Sequence, residues 1–563
     1  MTSKAAAIVI LGPGSLATAR RIQQRYPDAL IHGLAGRVEG ADRQYLEFGA
    51  TLREFYQQDT PIIALCAAGI VIRTLAPLLL EKGAEPPVLA VAEDGSAVVP
   101  LLGGLGGVNV MARDIAAALQ VAPAITTSGE LRFGTCLLNP PRGYHLGDLE
   151  QGKRFVSDLL AGESVRVEGI APWLEQAQLP EDAQARLAIR IDSAAGTPTA
   201  DELRIYPRNV VVALAAGAST NIGETLGGVG LAPQSLACLL AADSDMARPE
   251  LHEAASALNV PLRFATAQGE VAQWLNEALG QGVSIHAAGE HAIAVAELPL
   301  DPQRIGRARG RLAVIGLGPG AADLMVPAVR AELDRATDVL GYETYVRMAG
   351  PFRADQVQHC TDNREEMQRA RHAFELAAQG RSVVVVSSGD PGVFAMAAAV
   401  LEALHESTDV RWHNVDLQIL PGVSASLATA AQAGAPLGHD FCVMSLSDNL
   451  KPWSIIEKRL DLAAEADLAL AFYNPISRSR PWQLGRALEI VAQHRTSDTP
   501  VVLGRDIGRP GQTLRVTTLG QLTPEQVDMR TMVLIGSSTT CVFPRAEGGE
   551  WVYTPRWYGL KPA

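Results

Sequence analysis

The residues most suited to chemistry lie in glycine loops that follow apolar runs. VIGLGPGA occupies residues 314–321, and a near echo, IVILGPGS, occupies residues 8–15. A loop so poor in side chains lets a small molecule lie directly against the backbone. Gly316-x-Gly318-x-x-Ala321 formally matches a dinucleotide fingerprint, with Glu343 at a spacing suited to a ribose. Pro319 argues against that ligand, because its ring removes a backbone N–H from the loop that would cradle a pyrophosphate. A donor-poor loop suits a ligand without phosphates.

More loops of this kind follow. RSVVVVSSGDPGVFAMA, residues 381–397, reads as a strand buried on both faces that ends in Gly389-Asp390-Pro391-Gly392. The Asp390 carboxylate can meet an ammonium or a ribose hydroxyl there, or serve only the turn. PGVSAS, residues 421–426, follows the strand DLQIL, and LALAFYNP ends a further strand on Tyr473 and Asn474. VVLGRDIGRPGQ (501–512) and TMVLIGSSTT (531–540) complete the set. Ligands of open α/β sheets bind at the carboxyl ends of strands, so these loops are expected to converge. Arg478, Arg480, Arg505 and Arg509 follow such loops and could meet carboxylates with a guanidinium fork.

The elements that must position these loops alternate between strand and amphipathic helix, the signature of parallel α/β layers. The chain of 563 residues is several domains long. An α/β unit is expected over 1–145, a more charged insert or connector over 146–205, and a further α/β unit over 206–300. That last unit would hold the strand NVVVAL, a helix near 235–240 and a strand near Leu262. The polar, Arg- and Gly-rich segment 301–310 reads as a linker, and a final unit over 311–560 restarts with the strand RLAVIG.

Composition removes several classes of function. A net charge of −13 is wrong for coating nucleic acid, which needs clustered Lys and Arg. The longest apolar run, 61–80, carries Arg73 and two prolines, too polar to span a bilayer. MTSKAAAIVILGPG reads as a first strand entering a turn rather than a cleavable leader. Six scattered cysteines form no C-x-x-C pair and no zinc-spaced cluster, so they read as small buried hydrophobes of a cytoplasmic protein, with no metal site expected.

GLGPG, SSGDPGVFAMA, LPGVSAS, AFYNP and APLGHDFCVMSLSDNLKPW together resemble the tetrapyrrole methyltransferases of cobalamin biosynthesis. Within that family, the phrase HDF…SLSDNLKPW is similar to the enzymes that methylate C17 of precorrin-3B with ring contraction to precorrin-4. The resemblance covers about 310–555. It implies a two-lobed α/β fold with S-adenosylmethionine in the cleft, a tetrapyrrole substrate, and a homodimer formed through this domain. Carried onto this chain, it places Gly318, Pro319, Asp390, Val393, Ser424, Ala425, Tyr473, Asn474 and Gly508 around the cofactor. His439, Ser445, Ser447, Asp448 and Lys451 become candidates for substrate contact or for a general base.

The front half, through AAGIVIRTLAPLLLEKGAEPPVLAV, LLGGLGGVN and AITTSGE, resembles the N-terminal domain of cobalt-precorrin-5A hydrolase. NVVVALAAGAST is similar to that family's C-terminal domain. The resemblance implies α/β domains of lactone-hydrolase type, and a bifunctional enzyme acting on cobalt-precorrins is the alternative reading. However, LLGGLGGVN lacks the histidine of the family's LLSGHLGGAN, TTSGE replaces TTATD, and 214–218 lacks the cysteine and arginines of GCRRG. A hydrolase needs polar groups to position water and stabilise an oxyanion, so an accessory role is favoured for this half. Gly103 to Asn109 reads equally as a ligand-facing loop or as tight helix packing.

Overall fold

A computed structural model describes residues 4–80, 85–266, 269–280, 283–353, 355–362 and 365–558. Gly559 and Leu560, the last residues of the expected final unit, lie outside the described residues. The chain divides into two compact units. One comprises Met1–Arg309 with Pro351–Asp355, the other Gly310–Gly350 with Gln356–Ala563.

Among the described residues, the first unit holds three sheets. In the six-stranded one, Leu30–Leu34, Ala7–Ile10, Ile62–Leu65 and Val88–Val91 lie side by side in parallel, and Val98–Leu102 closes one edge antiparallel. A four-stranded sheet spans 144–207 and has its own core around Phe133, Phe155 and Ile189. The third sheet is centred on Val210–Leu214 and Leu236–Ala242. The second of these is a strand where a helix was expected near 235–240. LACLLAA is buried along its whole length in the middle of the sheet, so it shows no alternation to separate it from a buried helix. Most of the polar segment 301–310 is fixed to this sheet: Arg307 exchanges backbone hydrogen bonds with Phe264 at 2.8 and 2.9 Å, and Ile305 is buried.

The second unit has two lobes. The first carries an all-parallel sheet in the order Val357–Thr361, Asp338–Tyr342, Ser382–Ser387, Arg311–Gly316, Asp416–Leu420. Its central strand is the VVVV run, buried on both faces because helices cover both sides. The second lobe's sheet runs Phe441–Ser445, Ala469–Tyr473, Thr531–Ile535, Pro500–Arg505, Thr513–Thr518. Its first pair is parallel and the others antiparallel. Thr531–Ile535 therefore points opposite to its neighbours: the ends of Phe441–Ser445, Ala469–Tyr473 and Pro500–Arg505 share one edge, and residues 536–540 emerge at the other.

Candidate active site

The loops of the first lobe interlock through their backbones. Gly318 and Gly389 exchange hydrogen bonds at 3.2 and 2.8 Å. A side chain at Gly316 would stand 2.4 Å from the Gly389 carbonyl oxygen and 2.8 Å from the Gly422 nitrogen, so only glycine lets the three strand ends meet. Asp390 fastens this junction: Oδ1 accepts from the Gly392 N–H at 2.8 Å and Oδ2 from the Gly422 N–H at 3.1 Å. Its carboxylate thus serves its own turn and the next loop, and its remaining lone pairs stay open to a ligand. Val393 and Ser424 follow on these same loops. Ser424 caps the helix Ala425–Ala433, its Oγ accepting from the Leu427 N–H at 3.4 Å.

The second lobe meets this junction at Tyr473. The Ser426 N–H donates to Tyr473 Oη at 3.1 Å, and Ser426 Oγ lies at the same distance. Asn474 takes a left-handed backbone, φ 50°, and its Nδ2 donates to Ser445 Oγ at 3.0 Å. Beneath it, the buried Arg480 donates from Nη1 to the Asn474 carbonyl at 3.0 Å. Arg480 is therefore the brace of the FYN turn rather than a surface carboxylate receptor, whereas Arg478 is exposed.

The DIGRP loop closes onto the opening glycine loop. Arg509 Nε donates to the Pro319 carbonyl at 2.9 Å, and its Nη2 reaches Ser388 Oγ at 3.3 Å. Gly508, at φ +80°, is stacked so closely that a Cβ would come within 2.8 Å of the Pro319 ring. Arg509 is thus committed to the loop, and Arg505 pairs with Asp506 and Asp528. Neither is a free fork for a carboxylate arm.

The candidates for a general base are not brought together. Ser447 and Asp448 lie after the end of Phe441–Ser445; Ser447 N–H donates to Ser445 Oγ at 3.3 Å, and Asp448 accepts from Gln483 Nε2 at 3.2 Å. Lys451 sits nearby with its Nζ 5.9 Å from the Phe394 ring centroid. Burial, and then the Arg459 charge, hold the Lys451 ammonium below its ordinary pKa. His439 stands at the other end of that strand, beside Asp440 and 6.2 Å from the Tyr558 ring. About 13 Å of strand rise separates Phe441 from Ser445, so His439 is remote from the cluster. Ser537, Ser538 and Thr540 likewise line a separate hydroxyl-rich cleft of about 440 Å³ at that far edge. The expected convergence of 531–540 fails because its strand is antiparallel.

The dinucleotide reading fails on geometry as well. The loop after Gly316 does not open a helix directly, since the next α-helix begins only at Pro327, and Glu343 pairs with Arg347 on its own helix. The set that remains, a carboxylate, hydroxyls and a proline-interrupted glycine loop, fits a phosphate-free nucleoside bearing a cation better than a pyrophosphate. Sequence reasoning missed Phe394, Ser426 and Ser388, although all three stand inside the quoted motifs.

In the first unit the glycine loop 103–107 is tightly packed at Gly103 and open at Gly104. A Cβ at Gly103 would lie 2.4 Å from the Pro86 carbonyl oxygen. Asn109 Nδ2 donates to Glu130 Oε1 at 2.6 Å and to Thr127 Oγ1 at 3.0 Å, and Arg113 pairs with the other oxygen of the buried Glu130. These polar groups satisfy one another.

Residues 311–523 match the family model for Tetrapyrrole (Corrin/Porphyrin) Methylases, and residues 50–130 that for Cobalamin synthesis G N-terminal. A precorrin-3B C(17)-methyltransferase of Sinorhizobium sp is 49% identical over 249 residues, 44% of this chain and 97% of that protein. The chain belongs to the tetrapyrrole methylases. A probable cobalt-factor III C(17)-methyltransferase of Salmonella typhimurium is 41% identical, covering 44% of this chain and 100% of the relative. The cobalamin biosynthesis protein CobIJ of Mycobacterium bovis is 47% identical over 253 residues, but this chain spans only 48% of it. Among solved structures, that of the methyltransferase CobJ shares 52% identity over 44% of this chain and 100% of its own, with a TM-score of 0.41. All of these relatives align to less than half of the chain, so the methylase assignment rests on the second unit. No helix among the described residues is long and apolar enough to cross a membrane.

Proposed function

We propose that this chain transfers a methyl group from S-adenosylmethionine to C17 of precorrin-3B, with ring contraction to precorrin-4. The single observation that carries the reading is the donor-poor, interlocked junction of Gly318, Gly389, Asp390 and Gly422, in a chain that is 49% identical over 249 residues to a C17-methyltransferase. S-adenosylmethionine, when bound, supplies a methyl group activated on a sulfonium. Asp390 and Ser424 would hold its polar groups. Pro319, Val393, Ala425 and Gly508 would offer apolar surface and close backbone, with Tyr473 and Asn474 closing the second lobe's side.

The protein's task is positioning. Holding acceptor carbon and methyl donor in line can supply several kcal/mol of barrier reduction. The Asp390 bridge and the Arg509 contact to Pro319 preset the loops before ligands arrive, so little ordering cost remains at binding. A proton must also be moved during contraction, and Ser447, Asp448 and Lys451 remain the nearby groups able to take part. His439 is set aside by its distance. The homodimer and the cytoplasmic location belong to this same reading, by similarity to the family.

The first unit is read as an accessory module. Its Glu130 is buried and already engaged by Asn109 and Arg113, so this acid is not free to activate water. Incubating the full chain with [¹³C-methyl]-S-adenosylmethionine and precorrin-3B tests the main reading. The label should appear at C17 of a ring-contracted product. Label at another carbon, or no transfer, would refute it. The bifunctional alternative on cobalt-precorrins predicts acetaldehyde release from the lactone intermediate, and the accessory reading predicts none.

A further inference from the structure

Phe394 is the residue the function has not used. It lies on the GDPGVF loop in a left-handed backbone, φ 54°, and the residue is 52% exposed. Both features are costly. An L-residue with a Cβ is strained in that region, and glycine would relax it. An exposed phenyl gains little from the hydrophobic effect.

The surroundings show what the ring can do. It meets the Tyr473 ring in an edge-on arrangement, with centroids 5.4 Å apart. Tyr473 is itself fixed by Ser426 at 3.1 Å, so the platform is rigid. Lys451 brings its Nζ to 5.9 Å from the Phe394 centroid and makes no ion pair among the described residues. The site thus offers a half-exposed phenyl ring braced by Tyr473 and, above that ring, a cation without an acid among the described residues. Such a pair matches a flat, conjugated ring carrying carboxylate arms.

We propose that Phe394 seats the tetrapyrrole macrocycle by ring contact, and that Lys451 meets one of its carboxylate arms. This rests on the methyltransferase reading and adds to it the residues that hold the acceptor. Phe394 is a positioning residue for the acceptor. The donor site lies on the Asp390 side of the same loop, and Tyr473, which borders both, is also held by Ser426.

The test uses the full chain with F394G, F394Y and K451M. Steady-state kinetics gives KM for each substrate, and tryptophan quenching reads the affinity for uroporphyrin III, a stable macrocycle with acetate and propionate arms. F394G should keep a Tm at or above that of the parent chain, because it releases the backbone strain. It should raise KM for the tetrapyrrole about tenfold or more and leave KM for the methyl donor within about twofold. F394Y should retain near-parental values, and K451M should weaken uroporphyrin binding and flatten its salt dependence. A fall in Tm with both KM values rising together would make Phe394 structural and overturn the proposal. So would unchanged uroporphyrin affinity in F394G. Quenching is independent of turnover, so a parent chain without methyl transfer would reject the functional reading while binding still decides the role of Phe394.

Discussion

Gly508 and Gly511 offer a matched pair of perturbations on one loop. Both have left-handed backbones, φ +80° and +81°. Alanine at either position pays about 1–2 kcal/mol of backbone strain. They differ in what a Cβ would meet. At Gly511 there is nothing within 4 Å, whereas at Gly508 the Pro319 Cγ and Cβ lie at 2.8 and 3.1 Å. Carbon atoms prefer about 3.5–4.0 Å, so G508A must push the DIGRP loop and the opening loop apart by several tenths of an ångström. Overpacking of this kind costs about 1–3 kcal/mol. If Pro319 must return to its place for the methyl donor to bind, that cost appears as a loss of affinity of about 10- to 100-fold. Titration calorimetry with S-adenosylhomocysteine reads it directly. G511A should lose only stability and keep its Kd. Equal Kd values for the two variants would refute the claim that the Gly508–Pro319 contact shapes the donor site.

Other outcomes follow from the same geometry. D390N replaces one accepting oxygen with a donor facing the N–H of Gly392 or Gly422 and should cost about 1–3 kcal/mol in thermal unfolding, together with donor affinity; retained affinity would remove Asp390 from the site. R480M should lower Tm sharply, since the Asn474 carbonyl loses its buried donor, while R478M should leave Tm unchanged. In the first unit, burial and then the Arg43 charge hold His32 down to about 4 from 6.5. The unfolded chain therefore takes up a proton first, and stability should fall as pH drops from 6.5 towards 4, by up to about 3 kcal/mol from this group. Urea unfolding of H32Q against the parent chain should show a shallower fall, and parallel curves would contradict the assignment.

Much of the second unit was legible in the sequence because its signals are local. The β-branched VVVV run of 383–386 reads as a strand buried on both faces, and the turn residues after it fix Asp390 at a strand tip. What escaped was non-local. The antiparallel sense of Thr531–Ile535 is set by its partners rather than its residues, so 536–540 was placed at the wrong edge. Exposure of an arginine is equally invisible: Arg480 is buried and Arg478 is not, two positions apart in the same turn. LACLLAA carries no period that separates strand from helix. The positive φ of Phe394 leaves no trace in composition, since nothing in GDPGVF demands that its phenylalanine, rather than a glycine, turn the chain.

The most direct measurement is a crystal structure of the full chain with S-adenosylhomocysteine. The account predicts the adenosyl group against Pro319 and Gly508, with its polar atoms within hydrogen-bond distance of Asp390 and the PGVSA loop. Ligand bound elsewhere, or an Asp390 junction left empty at saturating concentration, would contradict it.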